Sequence, residues 1–198
     1  MKNQNQGTTV SFSNKITLKA LLFSSLFISL AFIFSSCSKG DDGGTYHITC
    51  NVDGAATSFN TAALAHIDVD PSGPGRDIII HGLTGPSATA GTFGFALNNV
   101  PGYDSIKAGV YPDTQTMYEV LASYSGNASS PDDYEAGTSN YQEAVRAGVT
   151  LTNHFTVTIT SLTAQTVRGT FSGDFYFNGD VKGAKKSITN GDFYVKLQ

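Results

Sequence analysis

Apolar and polar residues alternate with a period of two along most of the chain after residue 45. This pattern is typical of β-strands with one buried face. YHITCNV (46–52) predicts a strand whose buried face carries Tyr46, Ile48, Cys50 and Val52. Asp53 and Gly54 follow directly, and Asp-Gly is a favoured pair for a tight hairpin turn. Three further stretches alternate in the same way: AHIDVD (65–70), GTFGFAL (91–97) and TMYEVLASY (116–124). A fourth, DIIIHGL (77–83), is mostly apolar and predicts a buried strand.

The last third of the chain gives the clearest alternation. HFTVTITSL (154–162), VRGTFSGDFYF (167–177) and SITNGDFYVKL (187–197) predict three strands, with a turn at NGD (178–180). Their apolar face should form the main core, with Phe171, Phe175, Phe177, Phe193 and Val195. The same alternation places Asp174 on the opposite, polar face.

About eight strands with short turns predict an all-β domain, an antiparallel β-sandwich or a barrel-like variant of it. One short helix is predicted near 139–148, where Ser139 and Gln142 form a capping-box pattern and Gly148 a stop signal. The polar stretch 125–137 predicts a long loop.

A different pattern opens the chain. Lys2, Lys15 and Lys19 precede ALLFSSLFISLAFIF (20–34), an uncharged run of about 15 residues. A membrane-spanning helix needs roughly 20, so a basic start, a short apolar run and small residues after it predict an export signal. Cys37 follows Ser35 and Ser36. We therefore expect three parts: a signal peptide (1–36), a segment that begins at Cys37 and continues as a flexible tether (37–45), and an all-β domain (46–198).

The sequence around Cys37 resembles the lipobox of bacterial lipoproteins, although Phe34 stands where that motif usually has leucine. The resemblance implies that Cys37 carries a lipid and that the peptide is cut just before it. The following SKGDDGG (38–44) has no apolar side chain and fits a tether. It is similar to the acidic stretch of Bacteroidota outer-membrane lipoproteins, which implies a place in the cell envelope, at the outer membrane and exposed on the cell surface.

The C-terminal third also resembles a group of uncharacterised Bacteroidota lipoprotein domains. The similarity lies in the V-x-G-T-F-S-G strand (167–173), the I-T-N-G-x-F strand (188–193) and the V-D-G turn (52–54). It implies a β-sandwich at the cell envelope and no particular activity.

The net charge of the chain narrows the classes of molecule that it is expected to bind. Cleavage before Cys37 removes three of the 12 basic residues and none of the 16 acidic ones, which leaves a net charge of −7. An acidic surface repels phosphate backbones, so we do not expect nucleic acid as a partner. If Cys37 carries lipid, Cys50 has no disulfide partner and should be a buried, reduced thiol.

The stretch DVDPSGPGRD (68–77) offers calcium candidates in Asp68, Asp70 and Asp77. It departs from an EF-hand loop because Ile79 takes the position of the bidentate glutamate and two prolines interrupt it. A polar strand face running into a Pro/Gly turn explains the same residues. We therefore expect no cofactor, with calcium as the alternative.

No catalytic motif stands out. His47, His66, His81 and His154 lack zinc-site spacing, and no G-x-S-x-G occurs. The acids Asp132, Asp133 and Glu135 fall in the predicted loop, where such residues are usually solvated. The tyrosines in or beside loops fit a rim that binds sugars or peptides, or simple local packing; they are Tyr103, Tyr111, Tyr134 and Tyr141.

The sequence thus favours a non-catalytic, lipid-anchored binding or interaction module over an enzyme. Its membrane contact is the lipid on Cys37, and its ligand is expected to be a glycan or a protein. The alternatives are an extracellular hydrolase acting on a polymer, or a structural or adhesive surface subunit.

Overall fold

The computed structural model describes residues 45–69, 76–99, 106–127 and 132–198. These residues form eleven strands and one helix: β1 (His47–Val52), β2 (Ala55–Ser58), β3 (Thr61–Val69), β4 (Arg76–Leu83), β5 (Thr92–Asn99), β6 (Gly109–Pro112), β7 (Tyr118–Ser125), β8 (Asp133–Gly137), α1 (Thr138–Ala147), β9 (Thr156–Leu162), β10 (Thr166–Phe177) and β11 (Lys185–Leu197). The all-β prediction is confirmed. Among the described residues, no helix reaches the length and hydrophobicity of a membrane span.

The strands join in one sheet in the order β2-β1-β11-β3-β4-β5-β7-β8-β10-β9-β6. Strand β10 also pairs with β11, so hydrogen-bonded pairing can be followed from β11 through β3, β4, β5, β7, β8 and β10 back to β11. Every pairing is antiparallel except that of β3 with β11, which is parallel at Leu64 and Ala65. The purely antiparallel sheet of the sequence prediction is therefore wrong, and the sheet is mixed.

The estimate of about eight strands was too low because three short strands carry weak signals. β2 has only four residues, and β6 also has four and ends at Pro112. β8 lies at the end of the stretch predicted as a loop, where its acidic residues hide the alternation. It becomes a strand because both β7 and β10 pair with it, a non-local effect that composition does not reveal.

The core is built from the inward faces of strands that lie opposite each other. Phe93 of β5 stacks on Phe171 of β10, with ring centroids 4.6 Å apart. Phe95 contacts Phe193 of β11 at 5.3 Å. Since β5 is not a hydrogen-bonded neighbour of either strand, these contacts hold two parts of the sheet face to face.

The predicted core face is confirmed for Phe171, Phe175, Phe193 and Val195, while Phe177 is half-buried. The predicted outer face of β10 holds for Arg168 to Ser172, which alternate as expected. It is wrong for Asp174, which is buried. Asn153 Nδ2 donates to one of its carboxylate oxygens (2.8 Å) and Lys185 Nζ to the other (2.5 Å). A neighbouring loop and strand therefore cover this end of β10.

The helix lies where it was predicted, but its start differs. Gly137 is the N-cap residue and no side chain caps the helix, so the capping box at Ser139 does not form. Gly137 has a φ of +131°, and a β-carbon there would lie 2.0 Å from the carbonyl oxygen of Val120. Glycine alone allows the chain to leave β8 and enter α1 in such a sharp turn. Gly148 ends the helix in the left-handed conformation, as predicted.

Candidate functional site

A groove of 460 Å³ lies on the outer face of β4, β5, β7 and β8, beside the start of α1. Its volume falls within the roughly 300–1,000 Å³ typical of small-molecule sites. The floor comes from residues that point away from the core, and the start of the helix supplies a wall. The side chains at its surface include Ile79, His81, Ala96, Leu121, Ser123, Glu135, Ser139 and Asn140.

Strand register sets the polar side chains of the floor in one row across the sheet. His81 lies opposite Gly94, Gly94 opposite Ser123, and Ser123 opposite Glu135. Directly opposed residues on neighbouring strands have β-carbons about 4.5–5.5 Å apart. Because Gly94 has no side chain, the row has a gap between the imidazole of His81 and the hydroxyl of Ser123.

A second row, one pleat along, is apolar. Ile79 lies opposite Ala96 and Ala96 opposite Leu121. Ile79 is 37% exposed, which is high for a large aliphatic side chain on a strand. The groove thus has a polar strip beside an apolar strip, with the small residues Gly94 and Ala96 forming its deepest part.

The wall is formed by the first turn of α1, which the sharp turn at Gly137 brings over the sheet. Asn140 is only 4% exposed, and its Nδ2 donates to the carbonyl oxygen of Gly179 (3.1 Å). This bond orients the amide, and Oδ1 of Asn140 has no hydrogen-bond partner among the described residues. A buried acceptor without a donor costs about 1–3 kcal/mol.

The other polar side chains of the groove are also unengaged. The imidazole of His81, the hydroxyls of Ser123 and Ser139, and the carboxylate of Glu135 form no hydrogen bond or ion pair with any part of the chain that the structure describes. All four residues are exposed. An apolar floor with a few converging polar groups is the usual composition of a ligand site.

No family model, curated protein or solved structure matches this chain. Its function therefore has to be argued from the groove itself.

Within the described residues, neither the calcium candidates nor the tyrosines considered for a binding rim come together as a site. The backbone of Asp68 on β3 lies opposite that of Asp77 on β4, and a carboxylate oxygen of Asp77 accepts a hydrogen bond from the amide of Asn99 (2.8 Å). Asp70 lies outside the described residues, and no group of three or more potential metal ligands occurs within them.

The tyrosines are spread over the molecule. Tyr111 is buried and donates to the carbonyl oxygen of Lys107 (2.6 Å), and Tyr134 packs against Tyr124 and Phe177. Tyr141 on α1 contacts the ring of His154. Tyr103 lies outside the described residues, so the structure brings no rim cluster together among the others.

Two histidines pair with carboxylates rather than with a nucleophile. His47 Nε2 lies 2.6 Å from Asp192, and His154 Nδ1 lies 2.9 Å from the buried carboxylate of Asp113. Asp113 also accepts the amide of Phe155 (3.1 Å), so it fixes this turn. Burial raises the pKa of Asp113, against the lowering influence of His154. These contacts hold the two histidines in place beside their carboxylates.

Cys37 and the predicted signal peptide lie outside the described residues. Cys50 is a free, buried cysteine between the buried Ile48 and Val52, as predicted, whereas Tyr46 is largely exposed. Burial raises the pKa of the Cys50 thiol to about 11. A thiol with so little thiolate at neutral pH is a structural residue rather than a nucleophile.

Proposed function

We propose that this protein is a lipid-anchored, non-catalytic binding protein of the bacterial cell envelope, held at the outer membrane by Cys37 and exposed at the cell surface. Its ligand binds in the groove between the β4-β5-β7-β8 face and α1. The observation that carries the binding proposal is the set of unengaged polar groups around an apolar floor.

The groove supports binding better than hydrolysis. A hydrolase that uses two carboxylates needs a pair of acids about 5–10 Å apart, but Glu135 is the single carboxylate of the groove lining. A serine nucleophile needs a base within hydrogen-bond reach. Ser123 makes no such bond, and His81 lies two strands away in the same row.

For the finer architecture we propose the barrel-like variant of the sandwich, in which the closed ring of paired strands is flattened into two apposed layers. The stacked contact of Phe93 with Phe171 and the contact of Phe95 with Phe193 support two apposed layers with a filled core. A filled interior directs a ligand to the outer face, where the groove lies.

The binding proposal can be tested by nuclear magnetic resonance (NMR) on the ¹⁵N-labelled full chain with a library of small neutral, anionic and cationic compounds. Binders should shift the amide resonances of Gly94, Ser123 and Glu135. Ala96→Phe fills the groove from its floor and should abolish these shifts. Thr170→Phe adds the same ring to an exposed position of β10 and should leave them unchanged. Binders that shift only resonances remote from the groove would contradict the proposal.

The anchor is tested separately by growing cells with labelled fatty acid and fractionating them. Wild type should take up the label and partition with membranes, and Cys37→Ala should do neither. A Cys37→Ala chain that still partitions fully with membranes, beside an unlabelled wild type, would rule out lipidation.

A further inference from the structure

The groove lining has an acidic side chain and no basic counterpart for it. Glu135 is exposed and unpaired, and the lining contains no lysine or arginine. The register continues from Glu135 to Tyr176 and from Tyr176 to Lys185, but Lys185 is engaged by Asp174 (2.5 Å). Lys186 is engaged by Asp53 (2.8 Å). The carboxylate of Glu135 therefore lacks a cation from the described chain.

Two serine hydroxyls line the groove together with this carboxylate. Ser123 is the direct cross-strand neighbour of Glu135, and Ser139 begins the helical wall four residues later. An ammonium group has three N–H donors and no acceptor, and it needs such a cluster of oxygens.

The apolar row supplies room for a short hydrocarbon chain. Leu121, Ala96 and Ile79 lie on successive strands, which are about 4.8 Å apart. The strip from Leu121 to Ile79 is therefore about 10 Å long. An extended chain advances about 1.2 Å per bond, so four or five methylene groups span about 5–6 Å. From an ammonium group held near Glu135, such a chain crosses Leu121 and reaches Ala96, and Ile79 lies beyond its end.

We propose that the groove recognises a primary alkylammonium group, with its nitrogen between Glu135, Ser123 and Ser139 and its aliphatic chain on Leu121 and Ala96. This proposal rests on the proposed function, because it names the ligand chemistry of the same groove.

The test is an NMR titration of the full chain with n-pentylamine, 1-pentanol and pentanoate, which share a chain length and differ in charge. Pentylamine should bind at least about tenfold more tightly than pentanol, since its hydrogen bonds are charge-assisted. Pentanoate should bind more weakly than pentanol. Glu135→Gln should weaken pentylamine binding about tenfold and leave pentanol binding unchanged. Glu119→Gln removes the same charge from an exposed residue outside the lining and should change neither.

The alkylammonium group of the natural ligand could belong to a lysine side chain or to a free amine. Nα-acetyl-lysine amide carries the same group and distinguishes these two sources. Tighter binding than pentylamine supports a lysine side chain as the natural ligand, and weaker binding supports a free amine. Equal affinity of the amine and the alcohol in the groove would overturn the inference and leave the proposed function standing. Failure of all these compounds, and of the wider library, to shift any groove resonance would overturn both.

Discussion

Truncation of Phe175 to alanine should destabilise the protein far more than truncation of Thr170 on the same strand. Phe175 is fully buried, and its ring contacts Phe155 edge-on at 5.1 Å and Phe93 at 6.0 Å. Removal of a buried phenylalanine ring costs about 3–5 kcal/mol. For a domain of this size, that loss lowers the melting temperature by roughly 6–20 °C. Thr170 is exposed, and its truncation should stay within about 0.5 kcal/mol.

The loss of stability in Asp174→Ala should lie between the losses in Phe175→Ala and Thr170→Ala, although Asp174 and Thr170 alternate onto the same side of β10. Its carboxylate is 4% exposed and accepts hydrogen bonds from Asn153 and Lys185. Loss of hydrogen bonds to a charged group costs about 1.5–3 kcal/mol. Asp174→Asn keeps one acceptor oxygen and loses the charge, so it should cost less.

The assay is urea unfolding of all four variants followed by circular dichroism, with the midpoint and slope fitted for each. A loss at Asp174 no larger than that at Thr170 would mean that the loop at Asn153 does not cover this end of β10. A small loss at Phe175 would mean that the strand register is wrong by one residue.

The remaining predictions concern titratable groups and the helix start. The Cys50 thiol, whose pKa burial raises to about 11, should resist a bulky thiol reagent at pH 8 until the protein is unfolded, and rapid labelling of the native chain would contradict this. The hydrogen bond from Lys186 lowers the pKa of Asp53 below 3.8, so the stability from this pair should be present above that pH and lost as the pH falls through the folded-state pKa. NMR titration of Asp53 should show the low pKa in wild type and a rise toward 3.8 in Lys186→Met; an unchanged pKa would refute the pairing. Gly137→Ala should destabilise the protein more than Gly85→Ala, where a β-carbon meets open space, and equal thermal stability would contradict the sharp turn into α1.

The alternation of apolar residues predicts local strands and their inner faces well. Phe171 and Phe175 follow the pattern because the apolar residues of a strand themselves determine which of its faces turns toward the core. The pattern says nothing about what covers the other face. Asp174 was misplaced for that reason, since its cover comes from Asn153 and Lys185, 21 and 11 residues away in the chain.

The groove could not be predicted from sequence for a similar reason. His81, Ser123 and Glu135 come from three separate strands, and only the sheet order β4-β5-β7-β8 brings them into one row. In the sequence, His81 and Glu135 are polar residues without a motif that links them, and no motif contains Ser123 or Asn140.

The most direct test of the whole account is native mass spectrometry of the protein expressed from its full sequence and extracted from cell envelopes. Wild type should lack residues 1–36, carry the added mass of a lipid on Cys37, and retain a second, non-covalent mass. Ala96→Phe should keep the lipid and lose the non-covalent mass, and Thr170→Phe should keep both. A chain that retains residues 1–36 without lipid, or a bound mass unaffected by Ala96→Phe, would contradict the account.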